Sequence, residues 1–153
     1  MDRGAIARWK VDDGKLTTDS GALVNTPYTR ASRFELEAFP SGSSPEELLA
    51  AAVAGCFAMT FAHQLADHHH LPYELRVEAR VMLVRPKPHA RWTVPTVRLH
   101  CTALVTGVDD DVLAALAHAA KTESPIIRAM GVDVSLTITR DRPEDWHEHP
   151  AVQ

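Results

Sequence analysis

One segment constrains the fold more than any other: a helix-start signal followed by a long apolar run. Ser44 can cap a helix, Pro45 suits the first helical position, and Glu47 completes a capping box with Ser44. Nearly every residue of 48–62 is apolar or small, so this helix is hydrophobic on almost all sides. We expect it to end near residues 68–70, before Pro72. Such a helix must be covered on several sides, which one small sheet does not achieve alone.

The other segments are typical of short strands and two further helices. Turn signals between short strand patterns in the first 40 residues predict a small antiparallel meander. Residues 73–84 and 91–105 predict a long hairpin, residues 109–121 a helix that opens on acidic residues, and residues 132–138 a last strand. Ser124 and Pro125 start a further short helix. Because strands and helices do not alternate regularly, this order predicts an α+β fold with a largely antiparallel sheet.

Length and charge limit the possible functions. A chain of 153 residues fits one domain, here residues 1–140, followed by a polar tail over residues 141–153. A net charge of -4 gives no electrostatic footprint for nucleic acid, and we find no run of about 18 uncharged apolar residues to span a membrane. The N-terminus lacks the apolar core of a secretory signal. We therefore expect a cytoplasmic protein with no nucleic-acid and no membrane partner.

The cysteines and histidines give only weak signals for metal binding. Two cysteines are too few for a disulfide scaffold or a cysteine zinc site, and strand alternation points Cys101 towards the core. His63, Asp67 and His70 have helical spacing. Histidines in a last helical turn are also favoured by the negative end of the helix dipole, with no metal needed. We predict no metal site and no cofactor.

Cys56 has two opposed interpretations. A cysteine within residues 54–59 of an apolar helix is most simply a small hydrophobe in the core. Cys56 also lies about ten residues into the helix, where the N-terminal dipole no longer stabilises a thiolate appreciably. A reactive thiolate at this position needs a cation from elsewhere in the fold.

The surrounding sequence changes that balance. Residues 44–59, SPEELLAAAVAGCFAM, closely resemble the helix signature of the OsmC/Ohr family. The resemblance extends upstream through Arg8-Trp9 and Arg33-Phe34-Glu35 and downstream through the helix of residues 112–121, so it covers about residues 5–140 and favours the OsmC branch. It implies antiparallel sheets packed around a long central helix in an intertwined homodimer. It also implies reduction of hydroperoxides by a reactive cysteine.

The same resemblance implies roles for three residues. Cys56 attacks the hydroperoxide, Arg33 stabilises its thiolate, and Glu46 holds the arginine. The stretch of residues 36–43 is longer than the family pattern leads us to expect, so Arg30 competes with Arg33 for the arginine role. Candidates for an apolar lining, which favours organic hydroperoxides, are Phe34, Phe39, Phe57, Met59 and Phe61; several of them also suit the core.

Helix geometry adds an inference about assembly. Ten residues of rise separate the backbones of Glu46 and Cys56 by about 15 Å, more than one arginine bridges easily within a chain. Two such helices packed antiparallel across a twofold axis bring the start of one near the middle of the other. We therefore predict a homodimer with two composite sites.

The chain departs from the family pattern at the second cysteine. The family carries its resolving cysteine directly before a proline, and here Ser124 stands before Pro125. A hydroxyl cannot condense with a sulfenic acid to give a disulfide, and Cys101 is only a poor substitute on the core face of a strand. We predict a one-cysteine peroxidase whose Cys56 is reduced by an external thiol or dithiol. The alternative is a non-catalytic protein of this fold that binds a small apolar ligand or senses oxidants.

Overall fold

The structure, a computed structural model, describes residues 3–10, 13–29 and 42–141. The chain divides into two compact units, Met1–Leu49 and Ala50–Gln153. In chain order the elements are β1 (Ala5–Lys10), β2 (Asp13–Thr18), β3 (Thr26–Thr29), α1 (Pro45–Asp67), β4 (Glu74–Val81), β5 (Thr96–Leu104), α2 (Asp110–Glu123), α3 (Pro125–Met130) and β6 (Asp133–Arg140). The α+β prediction is confirmed. The single-domain prediction for residues 1–140 stays a prediction, and residues 142–153 of the expected tail lie outside the described residues.

The first unit contains the predicted antiparallel meander. β1 pairs with β2 and β2 with β3, both antiparallel. Gly14 on β2 permits a close approach of the chain, because a Cβ there would lie 2.3 Å from a ring carbon of Tyr28. The Tyr28 ring in turn packs against Trp9, with ring centroids 5.5 Å apart. Glycine is therefore required at this position of the sheet.

The start of α1 has the predicted capping box. The Glu47 amide donates to Oγ of Ser44 over 3.1 Å, and the Ser44 amide donates to Oε2 of Glu47 over 2.7 Å. These two bonds satisfy amides that a helix start otherwise leaves without a partner. Along α1 the buried positions recur every four residues, at Val53, Phe57, Phe61 and Leu65. One stripe of the apolar helix is thus buried, although the helix is apolar on more than one side.

The end of α1 is a Schellman motif built without glycine. His69 adopts the left-handed conformation, with φ of 64°. The His70 amide donates to the carbonyl oxygen of Leu65 over 2.8 Å, and the His69 amide donates to that of Ala66 over 3.0 Å. Both bonds are those of the motif, with His69 in the place usually held by glycine. The predicted end of the helix before Pro72 is confirmed.

The second unit contains a sheet with the order β4, β5, β6. β4 and β5 form the predicted antiparallel hairpin, with Val77 opposite Cys101. The prediction of a largely antiparallel sheet is confirmed, since three of the four strand pairs in the described residues are antiparallel; the fourth pair, β5 with β6, is parallel. The reason is the connection: α2 and α3 lie between these strands in the chain and form the crossover that parallel neighbours require.

The core of the second unit contains residues from one face of β5 and one side of α2. Residues on alternate positions of β5 are buried, and β5 turns polar residues such as Arg98 and His100 to solvent. The buried residues of β5 and α2 are Val97, Leu99, Cys101, Ala103, Leu104, Leu113, Leu116, Ala117 and Ala120. The prediction that Cys101 faces the core is confirmed.

Candidate active site

Cys56 lies in the middle of α1 beside the buried stripe. The next residue, Phe57, is fully buried, whereas Cys56 is partly exposed. The carbonyl oxygen of Cys56 lies within the hydrogen-bonded backbone of α1 and also accepts from the Thr60 hydroxyl over 2.9 Å. Cys56 is therefore held on a regular helix with its side chain at the edge of the core, where a small reactant can reach it.

Ser124 joins α2 to α3 and contacts the sulfur of Cys56. Its side chain is fully buried, with 0% of the residue exposed. Its hydroxyl donates a hydrogen bond to Sγ of Cys56 over 3.1 Å, although 68 positions separate the two residues. The residue predicted to stand in the resolving position thus touches the atom that a resolving thiol would attack.

The backbone of Ser124 is fixed from both sides. Its amide donates to the carbonyl oxygen of Ala120 over 2.9 Å, and its own carbonyl oxygen accepts from the Arg128 amide over 3.0 Å. Ser124 is also the N-cap of α3, but its hydroxyl makes no capping bond there. An N-cap serine usually satisfies an amide of its own helix. Here the hydroxyl is directed at Cys56 instead.

A second polar contact joins α1 to the same junction. Nε2 of Gln64 donates to Oε2 of Glu123 over 2.6 Å. Gln64 lies eight residues after Cys56 on α1, and Glu123 directly precedes Ser124. The two contacts, Gln64 with Glu123 and Cys56 with Ser124, therefore attach the α2–α3 junction to α1 at two points about two helical turns apart.

Cys101 is placed in a different environment from Cys56. It is fully buried on β5, and both cysteines are free thiols. Burial raises the pKa of Cys101 from 9.0 to about 12, because the thiolate would lose its hydration. A thiol held in this way stays protonated at neutral pH and is a poor nucleophile.

The remaining predicted site residues are divided between described and undescribed parts of the chain. Glu46 lies in the first turn of α1, beside Glu47. Arg33 and Arg30, like Phe34 and Phe39, lie outside the described residues. Of the candidate pocket residues, Phe57 and Phe61 are core residues with ring centroids 5.6 Å apart, whereas Met59 is 77% exposed.

His63, the histidine within α1, makes one local contact. Nε2 of His63 lies 3.5 Å from Oδ2 of Asp67, and both side chains are mostly exposed. Within residues 3–10, 13–29 and 42–141, no three histidine, cysteine or carboxylate side chains are grouped so as to hold a metal ion. At the end of the helix, His68 and His69 are exposed and His70 is half-buried.

The apolar surface of α1 is only partly buried within the chain. By length and composition alone, α1 is a helix that would suffice to cross a membrane, a test that central helices of soluble proteins also pass. Only 22% of its most apolar stretch is buried within the chain. Exposed positions on α1 include Ala51, Ala52, Gly55 and Met59.

The α+β fold and a thiol on a long apolar helix define an OsmC-like protein. Residues 38–139 match the family model described as OsmC-like protein, and the chain belongs to this family. It is 30% identical over 134 residues to Peroxiredoxin OsmC of Escherichia coli (strain K12), a match that covers 85% of this chain and 90% of that protein. The family resemblance found in the sequence is confirmed.

Solved structures support the same fold. An organic hydroperoxide resistance protein OsmC from Legionella pneumophila is 25% identical, with a TM-score of 0.72 over 91% of this chain and 97% of that one. The organic hydroperoxide resistance protein OhrB of Bacillus subtilis is 23% identical, with a TM-score of 0.72 over 91% and 98%. An OsmC-like protein of unknown function from Vibrio cholerae has a TM-score of 0.76 at 17% identity over 91% and 99%. The OsmC-like fold class is confirmed.

The sequence located Ser124 but not its contact. The serine before Pro125 indicates a helix start, which it is, and nothing in the local pattern shows where its hydroxyl points. Likewise the bond between Gln64 and Glu123 joins residues 59 positions apart. Both contacts depend on how the α2–α3 junction packs against α1, so local periodicity carries no signal for them.

Proposed function

We propose that this protein reduces hydroperoxides, organic ones in particular, through Cys56 by a one-cysteine mechanism. The observation that carries the proposal is the partly exposed residue Cys56, with the hydroxyl of the buried Ser124 directed at its sulfur over 3.1 Å. A cysteine that only fills space in a core has no need of a directed donor. The names of the relatives in Escherichia coli, Legionella pneumophila and Bacillus subtilis support the same class of reaction.

The first half of the proposed cycle oxidises Cys56. The thiolate sulfur attacks the terminal oxygen of the hydroperoxide, the O–O bond breaks, and an alkoxide leaves and takes up a proton to give the alcohol. Sulfur loses two electrons and becomes sulfenic acid. Developing negative charge on the leaving oxygen is stabilised by a nearby cation, the role proposed for Arg33, with Arg30 as the competing residue and Glu46 holding the guanidinium.

The second half reduces Cys56 with thiols from outside the chain. An external thiol attacks the sulfenic sulfur, releasing water and forming a mixed disulfide, and a second thiol then releases the Cys56 thiolate and an external disulfide. Two observations support external rather than internal reduction. Ser124 offers a hydroxyl where a resolving thiol would stand, and Cys101 is fully buried with its pKa raised to about 12. A cytoplasmic setting, which we also propose, supplies such thiols.

We further propose that the protein works as a homodimer formed through α1. The helix exposes a stripe of small and apolar residues, Ala51, Ala52, Gly55 and Met59, with Met59 77% exposed. A contiguous apolar stripe on a helix is a surface suited to association. Two α1 helices packed on this stripe cover it, and they bring Glu46 of one chain towards Cys56 of the other, as the 15 Å rise between these positions suggests.

The test is oxidation of the reduced protein with one equivalent of cumene hydroperoxide, followed by peroxide loss and intact mass. We expect Cys56 to gain one oxygen and to be restored by added thiol, in the wild type and in Cys101→Ser but not in Cys56→Ser. Loss of two hydrogens requiring both cysteines would instead identify Cys101 as the resolving residue. If the mass does not change and the peroxide persists, the protein is not a peroxidase, and the alternative of a protein that binds a small apolar ligand is favoured. Oxidation of Cys56 that thiols do not reverse would favour an oxidant sensor.

A further inference from the structure

We infer that Ser124 is a catalytic residue of the Cys56 site, a buried hydrogen-bond donor that stabilises the attacking sulfur. This inference rests on the proposed function and deepens it. Ser124 is more than a residue that has lost the resolving thiol, because its hydroxyl contacts the reacting atom itself over 3.1 Å.

The Ser124 hydroxyl does not cap α3, although Ser124 is the N-cap residue of that helix. Ser124 occupies the N-cap of α3, where a serine side chain normally accepts a bond from an amide of its own helix and stabilises it by about 1 kcal/mol. The side chain makes no such bond. By contrast, Ser44 at the start of α1 caps its helix in the usual way, over 3.1 Å to the Glu47 amide. The same residue type, placed before a proline in both cases, thus serves two different purposes in one chain.

Among the described residues, the Ser124 hydroxyl has one hydrogen-bond acceptor, Sγ of Cys56. Ser124 is fully buried, and a buried hydroxyl without a partner is destabilising by about 1–3 kcal/mol. Its backbone amide and carbonyl are already engaged within α2 and α3. Among the described residues the hydroxyl proton is directed to Sγ of Cys56.

The chemistry of this bond favours the reactive form of Cys56. A hydroxyl donates only weakly to a neutral thiol, whereas a hydrogen bond to a charged acceptor is about twice as strong as a neutral one. The Ser124 hydroxyl is therefore bound most tightly when Cys56 is a thiolate, the form that attacks the hydroperoxide. Because oxygen replaces the sulfur of a resolving cysteine, the donor remains after Cys56 is oxidised and does not consume the sulfenic acid.

The experiment compares Ser124→Ala, Ser124→Thr and Ser124→Cys with the wild type. We measure the rate at which Cys56 becomes sulfenic acid with cumene hydroperoxide, and separately the rate at which iodoacetamide alkylates Cys56. We expect Ser124→Ala to slow both reactions about 10- to 100-fold, the effect of one hydrogen bond to a charged group. Ser124→Thr, which keeps the hydroxyl, should restore most of both rates. Thr122→Ala is the matched control, since the Thr122 hydroxyl donates to the nearby His118 carbonyl oxygen, away from Cys56, and its loss should leave both rates unchanged.

Ser124→Cys tests the geometry without depending on turnover. A sulfur in place of the Ser124 oxygen lies about 1 Å from bonding distance to Sγ of Cys56, so diamide should convert the variant to a form lighter by two hydrogens, and Cys56→Ser should prevent this. If the wild type reduces peroxide and Ser124→Ala does so equally fast, the inference fails while the proposed function stands. If the wild type is inert to peroxide, the proposed function fails. The alkylation rates and the diamide reaction still test whether the Ser124 side chain contacts Sγ of Cys56. Unchanged alkylation in Ser124→Ala, or no disulfide in Ser124→Cys, would overturn the inference.

Discussion

The buried hydroxyl of Ser124 donates to Sγ of Cys56 over 3.1 Å, so the α2–α3 junction touches the site at the sulfur itself. If Ser124 stands in the resolving position, as we propose, the exchange of sulfur for oxygen keeps the contact with Cys56 and removes the means of forming a disulfide. In the proposed cycle, this substitution leaves the oxidation of Cys56 possible and changes only how Cys56 is reduced. Without an internal thiol, the sulfenic acid of Cys56 should persist longer before it is reduced.

We predict that Cys56 is easily overoxidised. Without an internal thiol, its sulfenic acid persists until an external thiol arrives, and a second peroxide converts it to sulfinic acid. At ten equivalents of cumene hydroperoxide without thiol, intact mass should show two or three added oxygens and an activity that dithiothreitol does not restore. Ser124→Cys should be protected, because disulfide formation competes with the second oxidation. Equal overoxidation of both proteins would contradict the prediction.

We predict that the contact between Gln64 and Glu123 positions Ser124 for Cys56. The bond of 2.6 Å lies on the exposed side of the junction, so its loss should change the free energy of unfolding by less than about 1 kcal/mol. Glu123→Ala should nevertheless slow sulfenic acid formation several-fold, because Ser124 is the next residue. Glu123→Gln keeps a carbonyl oxygen as acceptor and should retain the wild-type rate. A rate loss matched by a large loss of stability would show instead that the bond is merely structural.

We predict that Cys101 makes stability fall at alkaline pH. Its folded pKa, about 12, is raised above the unfolded value near 9, so its contribution is complete below pH 9 and is lost as pH rises from 9 towards 12. In a Cys56→Ser background, the free energy of unfolding should decline above pH 9 with a slope of up to about 1.4 kcal/mol per pH unit. The additional substitution Cys101→Ala should lower stability at all pH values through the cavity it leaves, and it should remove this part of the slope. The measurement is urea unfolding at pH 8–10.5.

Local patterns predicted the elements well where one segment determines its own structure. Ser44, Pro45 and Glu47 specify the start of α1 by bonds within four residues, and alternation along β5 specifies the burial of Cys101. No local pattern specified that β6 pairs with β5 in parallel, because pairing direction depends on the crossover and not on either strand alone.

The candidate site was predictable in its members but not in their contacts. Cys56 and Ser124 were found through the family pattern, since Cys56 alone resembles an ordinary core cysteine. Their hydrogen bond spans 68 positions, and a serine at a helix N-cap ordinarily bonds to an amide in the first turn, which the Ser124 side chain does not do. Only the packing of the junction against α1 decides between the two uses of the hydroxyl.

We predict that His69→Gly stabilises the protein. His69 is held at φ of 64° in the glycine position of the Schellman motif, and a side chain there is unfavourable by about 1 kcal/mol. The midpoint of thermal unfolding should therefore rise in His69→Gly by a few degrees. The neighbouring His68→Gly is the control, because His68 is not among the residues with positive φ, and this change should lower the midpoint or leave it unchanged. A fall of the midpoint in both variants would contradict the account of the helix end.

We predict that Gly55→Leu dissociates the proposed homodimer. A Cβ at Gly55 meets no atom within 4 Å among the described residues, so a larger side chain has room beside them and also favours the helix. Two helices packed on the exposed stripe of α1 leave no such room between them. Light scattering across a range of concentrations should therefore show a dimer for the wild type and a folded monomer for Gly55→Leu.

The control for Gly55→Leu is Ala115→Leu, which adds the same side chain at an exposed position of α2 and should stay dimeric. If the composite site is real, Gly55→Leu should also lose peroxide reduction, because Glu46 of the partner is then missing. A monomeric wild type, or a dimeric Gly55→Leu, would show that another surface or none covers α1. A monomer that keeps full activity would place the complete site in one chain, so that the arginine would have to reach Cys56 without a partner subunit.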